Sequence, residues 1–440
     1  MKRVLLLGSG LVARPVVRHL LEKGHQLVIA TLLVDRAEEM IAGHPHGKAL
    51  LFDVQDEARL ASLVSESDLA VSLLPFTYHP MVAKLCIAHR KPMVTTSYVS
   101  PAMKQLDESA RAAGVTILNE MGVDPGFDHM SAMRVIDSVR SRGGRIVSFR
   151  SYCGGLPAPE ANDNPFGYKF SWAPRGVLLA GRNSALYLLD GRKIEVPSDR
   201  LFRDMHILPI EGLGDFEAYP NRDSISYIDI YGLAGIQTMY RGTLRNMGWC
   251  DCLFNFGKLG LLSLEEIAVA GKKYIDFMRD LAGCGTSQDA QSAAAAKLGI
   301  PRHSLPILNL EWLGMFSERE FHVNRIAPLD ALGELMFEKL AFRPGERDML
   351  VLHHDFRVEF PDGKREHTVA QMIDYGIPFG DSSMSRTVGL PAAIGVDLIL
   401  TGRIRASGVL RPTASEIYNP VLDELAALDI ASQEKTEVYL

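Results

Sequence analysis

The residues best suited to proton transfer follow two short apolar segments in the first third of the chain. Ser97 and Tyr98 come after Val94–Thr96, and Asp124 comes after Val115–Asn119. If both segments are strands of one parallel sheet, their carboxyl ends lie at the edge where α/β folds bind ligands. A phenol and a carboxylate at one edge can move protons near neutral pH. We therefore predict catalytic roles for Tyr98 and Asp124, and a ligand contact for Ser97.

Arginines in the middle of the chain are candidates for holding a carboxylate. Arg222 lies in a Pro-Asn-Arg-Asp segment, and Arg245 follows an apolar segment further on. The planar guanidinium can hold a carboxylate with two parallel hydrogen bonds. The alternative for each is a surface ion pair, which contributes little stability. Lys169 and Arg175 flank Trp172 and are further candidates for touching cofactor or substrate.

A glycine-rich turn near the N-terminus predicts a dinucleotide site. The apolar run Val4–Leu7 has the length of a buried strand, and Leu11–Glu22 has helical spacing. In such a turn the first glycine allows a tight bend and the second lets the backbone approach a pyrophosphate. The helix N-terminus supplies the positive end of its dipole. The turn itself reads Gly8-Ser9-Gly10-Leu11-Val12-Ala13.

Strand-length apolar segments and helical segments alternate from there to Asn119, which indicates a doubly wound parallel sheet. Beyond that point the pattern changes. Dense Gly, Pro, Asn and Asp from Cys153 to Tyr168 predict a long loop or lid. Val177–Leu179 and Ser226–Ile230 have strand-like composition, and residues 255–340 are mostly helical. The predicted fold class is α/β, a Rossmann sheet followed by a second α/β domain with a helical insert.

Composition excludes several classes of function. The 440 residues carry 47 Lys and Arg against 53 Asp and Glu, a net charge of −6, which argues against nucleic-acid binding. The five cysteines include no CxxC pair at zinc-site spacing, so we expect no metal. No stretch approaches the roughly 20 apolar residues of a membrane span. We expect a soluble, cytoplasmic protein that does not bind membranes.

Six longer segments carry a family resemblance. The chain resembles the saccharopine dehydrogenases of the glutamate-forming type, nearly from end to end, to about Pro420. The segments are Ser151–Glu160 (SYCGGLPAPE), Asn119–Gly126 (NEMGVDPG), Tyr168–Trp172 (YKFSW), Ala218–Ser224 (AYPNRDS), Arg241–Arg245 (RGTLR) and Glu346–Met349 (ERDM).

The resemblance implies a reaction and an architecture. The reaction interconverts saccharopine with L-glutamate and 2-aminoadipate 6-semialdehyde, using NAD or NADP, in lysine metabolism. The implied assembly is a homodimer with a small-molecule amino-acid substrate. A Rossmann domain over residues 1–125 is completed by 385–440, an α/β substrate domain spans 126–250 and 341–384, and a helical insert spans 251–340.

The resemblance also assigns site residues. It places Tyr98, Asp124 and Cys153 around the reacting amine, and it places Arg222, Thr243, Leu244 and Arg245 at the substrate. Substrate contacts are predicted for Ser97, Tyr98 and Asp124 as well. The predicted cofactor contacts are Gly8, Ser9, Gly10, Leu11, Val12, Thr31, Leu32, Asp53, Val54, Leu74, Pro75, Ser97, Val123, Asp124 and Arg175.

The choice between NAD and NADP stays open from the sequence. A carboxylate at the end of the second strand favours NAD, and a basic residue there favours NADP. The end of this strand has neither, because Leu32 stands where fungal members of the family carry an arginine. Arg36 could reach a phosphate and Asp35 a ribose hydroxyl.

Two other functions fit part of these observations. A related imine-reducing enzyme, such as a carboxylated polyamine dehydrogenase, would keep the glycine-rich turn and change the carboxylate-binding segments. A dinucleotide-binding sensor without catalysis would tolerate the loss of Tyr98, Asp124 and Arg222. The intact segments around Cys153 and Arg222 favour the saccharopine reaction over both.

Overall fold

The computed structural model describes residues 1–172 and 174–439 and divides the chain into two compact units. Unit 1 comprises residues 1–146 and 357–440, and unit 2 comprises residues 147–356. The unit boundaries fall inside two long strands, β7 and β15, defined below. The N-terminal segment of unit 1 ends at Ile146, and residues 251–340 lie within unit 2.

Unit 1 begins with regular alternation of strands and helices. Its elements up to residue 141 are β1 (Arg3–Leu7), α1 (Ala13–Glu22), β2 (Gln26–Thr31), α2 (Val34–Ile41), β3 (Gly47–Leu51), α3 (Glu57–Ser65), β4 (Leu69–Ser72), α4 (His79–Ala88), β5 (Met93–Thr95), α5 (Pro101–Lys104), α6 (Asp107–Ala113), β6 (Thr116–Leu118) and α7 (Phe127–Ser141).

The strands and helices of residues 145–359 follow. They are β7 (Arg145–Pro157), α8 (Pro174–Ala180), β8 (Ala185–Leu189), β9 (Arg192–Val196), β10 (His206–Ile210), β11 (Gly214–Pro220), α9 (Ser226–Ile230), β12 (Thr238–Arg245), α10 (Trp249–Leu259), β13 (Ile267–Ala268), α11 (Tyr274–Ala282), α12 (Ala290–Leu298), α13 (Leu305–Leu313), β14 (Arg325–Ile326), α14 (Pro328–Lys339) and β15 (Asp348–Glu359).

The C-terminal part of unit 1 is mixed. It contains β16 (Arg365–Tyr375), α15 (Ser383–Leu400), β17 (Gly408–Leu410), α16 (Ser415–Ala427) and β18 (Gln433–Tyr439).

A seven-stranded parallel sheet forms the centre of unit 1, in the order β17-β6-β5-β4-β1-β2-β3. Residues Val4 to Leu7 of β1, an interior strand, are fully buried, as expected for a sheet covered on both faces. The strand order reverses between β1 and β4, the position where doubly wound sheets bind ligands. The predicted α/β class and parallel Rossmann sheet are confirmed.

The C-terminal segment belongs to unit 1 because it completes this sheet and its helical layer. β17 pairs with β6, and α15 approaches α1 so closely that a side chain at Gly389 would lie 2.7 Å from the Val12 carbonyl oxygen. Helix α7 joins the same unit through α16, where Arg134 donates to Asn419 and Tyr418 donates to Asp137. α15 is long and apolar enough to cross a membrane, but 78% of it is buried in the core.

Unit 2 is built on a mixed sheet in the order β10-β11-β12-β7-β15, with β8 and β9 attached beside β12. Two predictions of strands here were wrong. Val177–Leu179 lies in α8, which begins with a proline, a residue favoured at the first helical position. Ser226–Ile230 forms α9, and the N–H groups of Ser226 and of the preceding Ile225 donate to the Asp223 carboxylate.

Candidate active site

The glycine-rich turn has the geometry that a dinucleotide requires. Gly8 has φ of +97°, and a Cβ there would lie 3.3 Å from the Leu73 carbonyl oxygen. A Cβ on Gly10 would meet no atom within 4 Å, so open space lies beside the backbone where α1 begins. Ala13 is fully buried where the helix packs on the sheet. These residues fit a pyrophosphate held at a helix N-terminus.

The end of β2 presents apolar side chains and no charge. The Ser9 and Thr31 hydroxyls hydrogen-bond each other at 2.9 Å, and Leu33 N–H donates to the Thr31 hydroxyl. Leu32 is 65% exposed and Leu33 55%. Arg36 is half-buried in the first turn of α2 and lines a cavity with Leu11 and Arg14. This region therefore offers an apolar surface for a base, with Arg36 nearby and with Arg14 paired to Asp381.

The other cofactor candidates of unit 1 also follow strands of the parallel sheet. Asp53 and Val54 follow β3, Leu74 and Pro75 follow β4, and Val123 follows β6. All come after the carboxyl ends of their strands, and their contact with a cofactor stays a prediction. Arg175 is different, because it lies in unit 2, where its exposed guanidinium pairs with Asp330 at 2.7 Å.

Tyr98 and Asp124 lie together, because the Tyr98 hydroxyl donates to Asp124 Oδ1 at 2.7 Å. Both are half-buried at the edge of β5 and β6. Asp124 is held in a tight turn, in which Gly122 N–H donates to the Pro125 carbonyl. Gly126 has φ of +147°, and a side chain there would overlap Gly122. Only glycine fits this turn, which fixes the carboxylate beside the phenol.

The buried carboxylate of Glu120 connects the segments at this edge of the sheet. Glu120 Oε1 accepts from Val99 N–H at 2.9 Å and from Arg411 Nε at 2.8 Å, and Oε2 lies 2.8 Å from His129 Nε2. Burial alone would raise the pKa of Glu120, but His129, Arg411 and the Val99 N–H outweigh it and lower the pKa to about 2. Glu120 is therefore ionised and ties the segment of Tyr98 to that of Asp124.

In unit 2, strand register brings three predicted residues together. Cys153 on β7 lies opposite Thr243 on β12 in parallel register, and Arg245 is two residues further along the same strand. Alternate residues of a strand share a face, so Thr243 and Arg245 point the same way. Leu244, between them, is fully buried.

The prediction that Cys153 lies in a loop was wrong. β7 continues to Pro157, and a side chain at Gly154 would lie 2.7 Å from Leu244 Cβ. Gly154 therefore lets β7 pack closely against β12 and does not signal a loop. The glycine- and proline-rich composition was a true signal only beyond Pro157.

Arg245 is a buried cation without a carboxylate partner. It is 4% exposed, its Nη1 donates to the Leu244 carbonyl, and its Nε has no hydrogen-bond partner among the described residues. Its guanidinium lies over the rings of Tyr168, at 4.9 Å, and Trp249, at 5.4 Å. The Trp249 indole N–H is also buried and unpaired within the described chain. Among the described residues, this cluster therefore buries two N–H groups, Arg245 Nε and Trp249 Nε1, for which no acceptor is present.

The nearest carboxylate in register is already engaged. Glu217 on β11 lies opposite Arg245, but its oxygens accept from the N–H groups of Gly248 at 2.8 Å and Cys250 at 2.7 Å. It therefore caps the start of α10, the helix that carries Trp249. No ion pair within 4 Å joins Glu217 to Arg245 in the described structure.

The remaining candidates differ from one another. Arg222 is exposed on the turn after β11 with φ of +52°, a strained conformation for a residue with a side chain, and strain of this kind is common at functional sites.

Lys169 is buried and pairs with Asp163 at 2.9 Å and Glu346 at 2.7 Å. Lys169 therefore serves an internal ion network and is not available to a ligand.

Comparison with known proteins decides the family. The sequence profile described as "Saccharopine dehydrogenase NADP binding domain" matches residues 4–118, and "Saccharopine dehydrogenase C-terminal domain" matches residues 122–430. The chain belongs to the saccharopine dehydrogenase family. The resemblance in its sequence motifs is thereby confirmed.

Individual relatives agree over the full length. The saccharopine dehydrogenase [NADP(+), L-glutamate-forming] of Schizosaccharomyces pombe is 41% identical over 99% of both chains. The mitochondrial alpha-aminoadipic semialdehyde synthase of Bos taurus is 38% identical over 100% of this chain and 48% of its own length. The apo saccharopine dehydrogenase (L-Glu forming) structure from Saccharomyces cerevisiae superposes with a TM-score of 0.91 and 37% identity, covering 99% of this chain and 100% of that one.

Two buried residues at the edge of unit 1 were missed from the sequence. Glu120 was visible only as part of a family motif, and His79 was not considered. Each directly follows a strand or begins the helix after one, so the strand-edge rule that found Tyr98 would have found both. His79 contacts Ser97, which makes the edge more ordered than the sequence suggested.

Proposed function

We propose that this chain interconverts saccharopine with L-glutamate and 2-aminoadipate 6-semialdehyde, with NADP as its cofactor. Relatives that carry this activity in their names match it from end to end. The observation within the molecule that supports the proposal best is Arg245. A substrate with three carboxylates needs fixed cations, and Arg245 is a buried cation that has no counter-ion among the described residues.

The energetics of burial explain why Arg245 fits an anionic ligand. Moving a charged group from water into the protein interior costs roughly several kcal/mol. Hydrogen bonds or an opposite charge can offset this cost. Aromatic faces offset part of this cost through cation–π attraction, on the order of 2 kcal/mol when desolvated. A substrate carboxylate would supply the missing charge and accept from the guanidinium and the Trp249 N–H.

The edge of unit 1 would hold the cofactor and move protons. When bound, the nicotinamide ring supplies or accepts the hydride. The turn at Gly8 and Gly10 would hold the pyrophosphate, and Leu32 and Leu33 would lie against the base. The Tyr98–Asp124 pair can release or accept one proton at the Asp124 carboxylate while the phenol stays hydrogen-bonded to it.

The preference for NADP rests on the relatives' names and on one cation. Arg36 is the basic residue closest in sequence to the end of β2, and no ion pair of Arg36 occurs within residues 1–172 and 174–439. We propose that it binds the adenosine 2′-phosphate in place of a residue at the strand end itself. Homodimer formation and a cytoplasmic location stay predictions.

A cofactor absorbance assay tests the proposed function. Purified protein is given saccharopine with NADP and with NAD in parallel, and glutamate is measured as product. We expect reduced cofactor and glutamate in equal amounts, with the higher kcat/KM for NADP. A carboxylated polyamine serves as the control substrate and should not turn over. Cofactor binding without saccharopine turnover would overturn the proposal and favour a different imine substrate or a sensor.

A further inference from the structure

A buried imidazole links the core of unit 1 to the candidate site. His79 begins α4 and is only 2% exposed. Its Nδ1 lies 2.9 Å from the Ser72 hydroxyl, and its Nε2 lies 2.9 Å from the Ser97 hydroxyl and 3.1 Å from that of Thr95. These serines and the threonine end or follow the neighbouring strands β4 and β5. One ring therefore joins three hydroxyls at the carboxyl edge of the sheet.

The ring is not placed to act as a base itself. Both nitrogens are engaged by hydroxyls, and burial lowers the pKa of His79 to about 4, so the imidazole is uncharged near neutral pH. A neutral imidazole has one N–H donor and one acceptor, and either tautomer makes a hydrogen bond with Ser97. Any effect of His79 on chemistry must pass through the hydroxyls that it touches.

Of those hydroxyls, only the one on Ser97 belongs to a residue that reaches the surface. Ser72 and Thr95 are fully buried, whereas Ser97 is half-buried. The Ser97 backbone is fixed as well, since its carbonyl accepts from Glu120 N–H at 3.1 Å. Its neighbour Tyr98 donates to Asp124. The polar chain thus runs from Ser72 through His79 to a hydroxyl beside the proton-transfer pair.

We propose that His79 is a positioning residue, which holds the Ser97 hydroxyl in one orientation toward the bound cofactor and substrate. This inference rests on the proposed function for the identity of the substrate. Preorganised hydroxyls accelerate reactions because their orientation needs no adjustment when the substrate binds. The competing interpretation is purely structural, with His79 only fastening α4 to β4 and β5.

A double-mutant cycle separates these two interpretations. The variants are Ser97→Ala, His79→Asn, His79→Gln and the combination of Ser97→Ala with His79→Asn. The glutamine amide reaches about as far as Nε2, whereas the asparagine amide ends near Nδ1 and keeps only the Ser72 contact. We expect His79→Asn and Ser97→Ala each to lower kcat/KM about tenfold, the value of one hydrogen bond. His79→Gln should restore most of the rate.

The decisive measurement is the combined variant. If His79 acts through Ser97, the combination should be no slower than Ser97→Ala alone. A further tenfold loss in the combination, or full activity of His79→Asn, would overturn the proposal. Ser72→Ala is a matched variant that leaves the Ser97 side chain intact. It should lower kcat/KM a few-fold in the parent protein and have no effect when Ser97→Ala is already present.

Two further measurements show whether a change in kcat/KM comes from unfolding, and test His79 without relying on turnover of saccharopine. The thermal unfolding midpoint identifies any variant whose rate falls because it unfolds. The Kd for NADPH, from fluorescence titration, is measured for the same set of variants. If the parent protein does not turn over saccharopine, the proposed function fails, and the cycle is read from the NADPH Kd instead. Additive effects on that Kd, or no effect of Ser97→Ala, would then refute the role of His79.

Discussion

At the strand edge of unit 1, His79 and three hydroxyls hydrogen-bond one another. In unit 2, by contrast, Arg245 Nε and the Trp249 indole N–H have no acceptor among the described residues. Burying an unpaired polar group is costly. The first cluster is satisfied by the protein alone, whereas an anionic ligand would supply the acceptors that the second lacks.

From this difference we expect different roles for the two clusters. A completed network fixes directions, which suits groups that must move protons or contact a cofactor in one geometry. An incomplete network stores affinity, because the ligand supplies the missing acceptor. Variants of unit 1 should therefore change the rate or the stability, and variants of the Arg245 cluster should change substrate binding at little cost in stability.

The largest expected effect is on catalysis at the complete edge. Asp124→Asn keeps an oxygen for the Tyr98 hydroxyl but removes the group that accepts a proton. We expect kcat to fall about 10³-fold, within the range for loss of a general base. The KM for saccharopine, the Kd for NADPH and the thermal midpoint should change little. A full rate of Asp124→Asn across neutral pH would remove Asp124 from the mechanism.

The next effect is on stability. Glu120→Gln removes the carboxylate that pairs with the buried His129 and the partly exposed Arg411, so we expect the free energy of unfolding to fall by about 3 kcal/mol. The measurement is urea unfolding at neutral pH. Glu66→Gln is a control that disrupts an exposed pair with Arg3, and it should cost less than about 1 kcal/mol. Equal effects of the two variants would contradict the account of this edge.

The same carboxylate predicts a pH dependence. Its folded pKa of about 2 lies below its usual 4.5, so it stabilises the fold fully above pH 4.5. That contribution is lost as the pH falls from 4.5 toward 2, because the unfolded chain then binds the proton more readily. Glu120→Gln should show a smaller loss of stability across this window than the parent protein.

Arg245 should show the opposite pattern. Arg245→Met removes a buried cation that pairs with no carboxylate in residues 1–172 and 174–439. Stability should therefore be unchanged or rise, because replacing buried charge by an apolar side chain is often neutral or favourable. The kcat/KM for saccharopine should fall about 100-fold, which corresponds to about 2.7 kcal/mol. Steady-state kinetics and thermal unfolding on the same sample measure both.

A matched control is Arg182→Met. Arg182 also lies in unit 2, and its Nη1 donates to the Leu262 carbonyl at 2.6 Å. The Arg182→Met substitution should leave the KM for saccharopine unchanged. Strong destabilisation by Arg245→Met, with an unaltered KM, would mean that the aromatic rings alone account for this arginine.

Features of the fold and site that depend on neighbouring residues were predictable from the sequence, and features that depend on distant segments were not. The glycine-rich turn, the parallel sheet and the closeness of Tyr98 and Asp124 were predicted, because they depend on local periodicity and on one rule about strand ends. Cys153 was misplaced because a glycine that packs against Leu244 looks the same in sequence as one in a loop. The burial of Arg245 was not predictable, since it depends on Tyr168 and Trp249, which come from distant segments.

The smallest expected effect concerns the choice of cofactor. Arg36→Ala should lower kcat/KM about tenfold with NADP and leave it unchanged with NAD, because only NADP carries the 2′-phosphate. Asp35→Ala is the matched variant one residue earlier, and it should lower kcat/KM with NAD only if Asp35 binds a ribose hydroxyl. If Arg36→Ala lowers kcat/KM equally with NADP and with NAD, Arg36 only supports the local structure after β2. The exposed Leu32 surface would then have to discriminate by shape, and the affinity for NADP would have to come from elsewhere on unit 1.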